Sequence, residues 1–308
     1  MSSDFDRNLT INIGGVEWKN PVTTASGTVN SGKEYSPYID FAQLGALTSK
    51  SVSAEEWMGN PVPRIAESYG GMLNAIGLQN QGIDAFIKND VPFFKKLDTA
   101  IIVNICGREI SDFVVVAEKL TKCGGVDMLE LNLSCPNVKD GGMAFAQDPK
   151  TTYQIVSEVK KATTLPLITK LSPNVTNITE IAKAAEDAGS AAVSLINTLL
   201  ALRININTRK PMLGNTLGGL SGPAIRPVAL RCVWQVYKAV KIPIVGMGGI
   251  LTGDDAIEFM LAGATAVAVG TAHFINPRAS ADVLEGIVNY MEKHGVKDIN
   301  ELIGAAHG

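Results

Sequence analysis

The chain alternates short, almost wholly apolar runs with longer segments whose apolar residues recur at helical spacing. The runs fall at 21–26, 46–50, 100–105, 128–133, 166–171, 191–197, 242–247 and 265–270. They are continuous rather than strictly alternating, which is the pattern of parallel strands covered on both faces. The segments between them carry helix-start signals. Asp148 stands as an N-cap before Pro149, Asn177 and Glu180 have capping-box spacing, and Ser221-Gly222-Pro223 and Thr252 with Asp255 mark two further starts. Eight strand–helix repeats in 308 residues predict an α/β fold, a closed (β/α)8 TIM barrel, with residues 1–308 forming one domain. A doubly wound sheet would place phosphate-binding glycines after its first strand, and none stand there. Apolar stretches at 9–13 and 16–18 flank Gly14-Gly15 and predict an N-terminal hairpin that plugs the bottom of the barrel.

Three connections, 51–81, 134–147 and 198–220, are much longer than usual, and each follows a strand. In a barrel such loops emerge at the C-terminal face, where active sites are built. The strand ends at that face are polar: Ser26, Lys50, Asn104, Asn132, Lys170 and Asn197, with Gly248 and Gly270 closing the last two strands. Amides offer both donors and acceptors to a planar ligand with amide and carboxylate groups, and lysine offers positive charge to an anion. Gly246-Met247-Gly248-Gly249 precedes a helix start, and Gly270-Thr271 follows the next strand, where barrels commonly hold a phosphate. Leu251 stands where a dinucleotide fingerprint needs its third glycine, so the strict motif is missing. Tight turns requiring positive φ would account for one glycine but not for the placement of the pair. A phosphorylated cofactor accounts for both.

Charge and composition remove other classes. Lys and Arg total 27 against 30 for Asp and Glu, a formal net charge of −3 with no basic run, so no nucleic-acid partner is expected. Residues 1–8 are acidic without an apolar core, and no stretch approaches the roughly 18 apolar residues of a membrane helix. The expectation is a cytoplasmic protein with no membrane attachment. Four cysteines are too scattered for a disulfide framework, no C-x-x-C pair occurs, and the three histidines are far apart, so no metal site is expected. His294 and His307 read as a solvated helix residue and part of a frayed tail. Cys106, Cys123 and Cys232 read as small buried hydrophobes. Cys135 differs, lying at the mouth beside Pro136 in the polar loop 134–147, and reads as a nucleophile or general base. His273 is the one histidine that could approach the rim, which disfavours a Cys–His hydrolase.

Several of these residues sit in longer motifs. Asn-Leu-Ser-Cys-Pro-Asn-Val-Lys-Asp-Gly-Gly at 132–142 resembles the catalytic loop of class 1B dihydroorotate dehydrogenases. Gly-Met-Leu-Asn-Ala-Ile-Gly-Leu-Gln-Asn at 71–80, Lys-Leu-Ser-Pro-Asn-Val at 170–175, Ile-Asn-Thr at 196–198 and Gly-Gly-Leu-Ser-Gly-Pro-Ala at 218–224 are similar to that family in the same order. The likeness runs from about residue 8 to about residue 303, and departs from the family's usual glycine-rich stretch at Val29-Asn30-Ser31-Gly32.

The resemblance implies oxidation of dihydroorotate to orotate in pyrimidine biosynthesis, with FMN taking the hydride. Cys135 matches the family's base. Lys50, Asn74, Ala75, Ile76, Gly77, Leu78, Asn132, Asn137, Asn197 and Thr198 match its orotate-binding positions. Ala25, Ser26, Lys50, Ser51, Asn104, Asn132, Lys170, Ile196, Gly222, Gly248, Gly249, Gly270 and Thr271 match its FMN-binding positions. It further implies a partner subunit carrying FAD and a 2Fe–2S cluster that passes electrons to NAD+, around a homodimer core in a heterotetramer. Three alternatives stand beside it. A related enzyme of dihydrouracil or dihydrothymine would have no carboxylate for the rim lysine. A fumarate-linked class 1A-like enzyme would need no partner. A non-catalytic barrel would have no reason to aim Cys135 and Lys170 at the mouth.

Overall fold

The structure, a computed structural model, describes residues 7–133 and 147–308. It opens with the predicted hairpin, β1 (Ile11–Ile13) and β2 (Val16–Trp18), turned at Gly14-Gly15. Gly14 has φ +58°, and a Cβ there would lie 2.6 Å from that of Ala191. The hairpin tip therefore lies against the entry of a barrel strand, with Ile11, Ile13 and Trp18 buried. β3 (Val22–Thr24) and β4 (Ala46–Thr48) follow, then β5 (Ile65–Ser68), β6 (Gly71–Asn74), α1 (Ile83–Asn89) and α2 (Val91–Phe94). Next come β7 (Ala100–Ile105), α3 (Ile110–Cys123), β8 (Met128–Asn132), α4 (Pro149–Ala162), β9 (Leu167–Leu171) and α5 (Ile178–Asp187). β10 (Ala192–Leu195) leads into β11 (Leu199–Ala201), β12 (Ile204–Asn205), β13 (Lys210–Pro211) and β14 (Gly218–Ser221). The chain ends with α6 (Arg226–Tyr237), β15 (Ile244–Met247), α7 (Gly253–Leu261), β16 (Ala266–Val269) and α8 (Ala279–His294).

Eight strands form one parallel sheet in the order β3-β16-β15-β10-β9-β8-β7-β4. Each joins its neighbours through the long-range pairings expected of repeated β–α units, and their residues are buried almost throughout. The two ends of this sheet, β3 and β4, meet differently. One backbone bond runs from Gly45 N to Val22 O at 3.0 Å. Otherwise threonines close the seam: Thr24 Oγ1 donates to Thr48 O at 3.1 Å, accepts from Thr48 N at 3.0 Å, and Thr23 and Thr48 hydroxyls lie 3.1 Å apart. Side chains thus stand in for ladder bonds at the one join the ladder does not complete.

The helix starts follow the sequence with two differences, one being that Pro223 opens a 3-10 turn, Pro223–Ile225, and α6 begins only after it at Arg226. Asp148 caps α4, and Thr252 with Asp255 forms a full capping box on α7. Asn177 caps α5 by accepting from Thr179 N, and Glu180 bonds the Asn177 side-chain amide at 2.9 Å instead of its backbone. The predicted loops 51–81 and 198–220 are not bare loops. They contribute β5, β6, β11 and β14 to a second, antiparallel sheet of order β11-β14-β6-β5. Glycines let these strands close up: a Cβ on Gly71 would strike Ser221 O at 2.0 Å, and one on Gly219 would strike the Thr198 hydroxyl at 2.0 Å. The tail is docked rather than frayed. His307 stacks on Trp234 with ring centroids 3.6 Å apart, and its Nε2 lies 3.0 Å from Ala262 O. Among the described residues no helix is long and apolar enough to cross a membrane.

The seam generates a stability test. Thr48→Val strands the buried Thr23 hydroxyl, and such an orphan costs about 1–3 kcal/mol in urea-unfolding free energy. Thr23→Val combined with Thr48→Val removes both hydroxyls and is expected to cost less than the two single changes added together. Strict additivity would show that the threonine pair does not contribute to closure.

Candidate active site

Seven of the eight barrel strands, all but β7, bring residues at or just after their C-terminal ends to one cleft of about 630 Å³, roofed by residues of the antiparallel sheet. The volume suits a small cofactor together with a small substrate. Ala25, Ser26, Lys50, Ser51, Asn132, Lys170, Ile196, Asn197, Gly222, Gly248, Gly249, Gly270 and Thr271 line it from the barrel and its adjoining turns. Asn74, Ala75, Ile76, Gly77, Leu78 and Thr198 line it from the roof side. Cys135 and Asn137 lie outside the described residues. Asn104 does not line the cleft. It is fully buried one step behind, where it accepts from Ser51 Oγ and donates to Glu130 Oε1 at 2.5 Å.

The mouth's polar groups form a relay across adjacent strands. Asn197 Nδ2 donates to Asn132 Oδ1 at 3.4 Å, and Asn132 Nδ2 to Ser51 Oγ at 3.3 Å. Ser51 bonds Asn104, Asn104 bonds Glu130, and Ser194 Oγ donates to the other Glu130 oxygen at 2.8 Å. Lys170 Nζ lies 3.7 Å from Glu130 and donates to Ser26 Oγ at 2.9 Å. Lys50 has no ion pair or side-chain bond among the described residues, and burial pushes its ammonium below the usual lysine value, opposed by Cys106 and reinforced by Arg64. An anion placed against Lys50 would reverse that effect of burial.

On the roof side, Leu78 is held at φ +57°, an uncommon region for leucine. Asn80 secures it, donating from Nδ2 to Leu78 O at 2.9 Å while its Oδ1 accepts from Gly82 N at 2.9 Å. After β15, Gly248 and Gly249 have φ of +126° and +85°. Their amides and that of Thr271 have no acceptor among the described residues. Just before α7, the amides of Leu251 and Thr252 are taken by the Asp255 carboxylate, at 2.9 and 3.0 Å. An anion here would therefore be better served by the glycine turns than by a helix start that already carries a carboxylate.

Sequence reasoning missed Glu130, although a carboxylate inside an apolar strand run is a visible signal. It also missed Trp57, Asn60, Asn215 and Phe274, which line the cleft without any motif of their own, and Met72 and Ser221, which stand inside motifs whose other residues were singled out. Of the described cysteines, Cys106 and Cys232 are buried as expected, whereas Cys123 is half-buried with its thiol on Leu120 O.

Barrel and cleft together define a (β/α)8-barrel enzyme whose site is built from strand ends and the loops that follow them. The family model described as dihydroorotate dehydrogenase matches residues 8–291. A relative from Alkaliphilus oremlandii, named dihydroorotate dehydrogenase B (NAD(+)), catalytic subunit, is 59% identical over 298 residues, which cover 97% of this chain and 98% of the relative. Proteins of the same name from Lachnoclostridium phytofermentans and Caldicellulosiruptor bescii are 58% and 51% identical, covering 96% and 97% of this chain and 99% of each relative. The chain belongs to the dihydroorotate dehydrogenase family.

His273 lies behind the Gly270-Thr271 turn and does not reach the rim. It is 1% exposed, its Nδ1 donates to Gly270 O at 3.1 Å, and its Nε2 faces Ser280 Oγ at 2.8 Å. Burial holds its pKa down from 6.5 to about 4, against the opposing Gly270 bond. The folded pKa is depressed, so unfolding takes up a proton between those values, and stability is lost as pH falls from about 6.5 towards 4. Titration of His273 is expected to remove about 3 kcal/mol across that window. Urea unfolding of the parent and of His273→Gln should differ in pH slope there; parallel slopes would contradict the assignment.

Proposed function

We propose that the protein oxidises dihydroorotate to orotate in pyrimidine biosynthesis, with FMN resident in the cleft and NAD+ as final acceptor through a partner subunit. The observation that carries this reading is that one cleft is lined by two kinds of donor, backbone amides of glycine turns and side chains of lysine and asparagine. Gly248, Gly249 and Thr271 bring backbone amides with no acceptor among the described residues, which suits a phosphate. Lys50 and the asparagine relay bring charge and amides, which suits a small planar anion. Residues 1–308 serve as a single FMN-binding catalytic domain.

The residues fit the cofactor by their donor chemistry. Ala25, Ser26, Ser51, Asn132, Ile196, Gly222 and Gly270 would hold it with the glycine-turn amides, while Asn104 supports Ser51 from behind. Bound FMN supplies a two-electron acceptor for the hydride leaving C6 of dihydroorotate. Lys170 keeps a positive charge where that acceptor becomes more negative. Lys50 holds the substrate carboxylate. Asn74, Asn132, Asn137, Asn197 and Thr198 hold the ring amides, with the backbone of 75–78 pressing on the ring. Cys135 removes the C5 proton.

The partner carries FAD and a 2Fe–2S cluster, and two copies of each chain assemble around a homodimer of this one. The relatives' name, a catalytic subunit of an NAD(+) enzyme, supports a further subunit and NAD+ as acceptor.

Cys135→Ala is expected to keep its FMN yet lose flavin reduction by dihydroorotate about 100- to 10,000-fold in stopped flow. Cys135→Ser should retain a small residue of activity. Reduction of bound flavin by Cys135→Ala at the parent rate would overturn the base assignment. Fast reduction of fumarate by the chain alone would overturn the partner-linked reading.

A further inference from the structure

Glu130 carries a carboxylate into the wall of an apolar barrel, with its side chain 4% exposed. Both oxygens are spent: Oε1 accepts from Asn104 Nδ2 at 2.5 Å and Oε2 from Ser194 Oγ at 2.8 Å. The carboxylate is thereby fixed by β7 on one side and β10 on the other. The Lys170 ammonium, 6% exposed, lies 3.7 Å from Oε1. That separation is too long for a hydrogen bond but short enough for strong Coulombic attraction in a poorly solvated place. Lys170 Nζ instead donates to Ser26 Oγ at 2.9 Å, and Lys170 lines the cleft. Its charge is therefore balanced from behind, while donor capacity remains toward the cleft.

We infer that Glu130 is a positioning residue that sets how strongly the barrel mouth draws electrons onto a bound flavin. Its carboxylate anchors the Lys170 ammonium in the cleft and offsets part of its positive charge. An unbalanced ammonium would favour the reduced, more negative flavin strongly, and electrons would leave slowly. A balanced one accepts a hydride and still releases the electrons. The inference rests on the FMN reading above and adds the residue that tunes it.

The test uses the full chain loaded with FMN and reads the flavin rather than turnover. Flavin reduction is equilibrated against a reference redox dye, and sulfite affinity at the flavin is titrated in parallel. Removing one buried unit charge beside the ammonium is expected to shift both equilibria by roughly ten- to a hundredfold. Glu130→Gln should move them toward the reduced flavin and tighter sulfite. Glu130→Asp, which withdraws the carboxylate, should move them less and in the same direction, and Lys170→Met should move them the opposite way. A Glu130→Gln flavin within about twofold of the parent, or shifted toward oxidation, would overturn the inference. So would loss of flavin from both Glu130 variants while Lys170→Met retains it, since Glu130 would then be a structural strut. A parent chain that binds no FMN would overturn the cofactor reading and this inference together.

Discussion

An ammonium held inside a closed barrel sets the terms for the rest of the mouth. Lys170 lies on β9 with strands on either side, and a charge so placed is costly unless a counter-charge and hydrogen bonds accompany it. The register of the parallel sheet supplies them. Asn132 on β8 and Ser194 on β10 are both paired with Lys170, while Asn104 on β7 is paired with Glu130. Four adjacent strands thus bring their polar residues to two successive levels, Asn132, Lys170 and Ser194 on one and Asn104 and Glu130 on the other. A slip of one residue would turn these groups toward the helices and leave apolar residues at the mouth.

Above that level the chain changes its means of construction. The two long loops after β4 and β10 pair with each other as an antiparallel sheet, so the roof is fixed to two distant points of the barrel. The barrel wall supplies lysine charge and its glycine turns supply backbone amides, a donor set suited to a phosphorylated cofactor. The roof is held by short glycine-bearing strands with more exposed edges, suited to a ligand that enters and leaves. The family membership and this division of labour point to the same chemistry from different directions.

The eight barrel strands were legible because parallel strands buried on both faces leave continuous apolar runs. Their polar ends were legible because a charge or amide closing such a run has few structural reasons to be there. The roof sheet was not, since Gly218, Gly219 and Gly71 read as turn residues and the strands are too short to show alternation. Asn104 was placed in the cleft because its position at a strand end resembles that of Asn132, yet it faces Glu130 one layer back. Glu130 went unread because a residue two places inside a strand is expected to be core. His307 read as a frayed tail because its stacking partners, Trp234 and Tyr237, are distant in sequence. Cys135 and Asn137 rest on motif resemblance, lying outside the described residues.

The most direct test of the account is an anaerobic titration of the purified, FMN-loaded chain with dihydroorotate, following flavin absorbance and orotate together. The account predicts that the flavin bleaches with one orotate formed per flavin reduced, and that dihydrouracil, which has no carboxylate for Lys50, does so far less readily. Bleaching by dihydrouracil but not by dihydroorotate would contradict it.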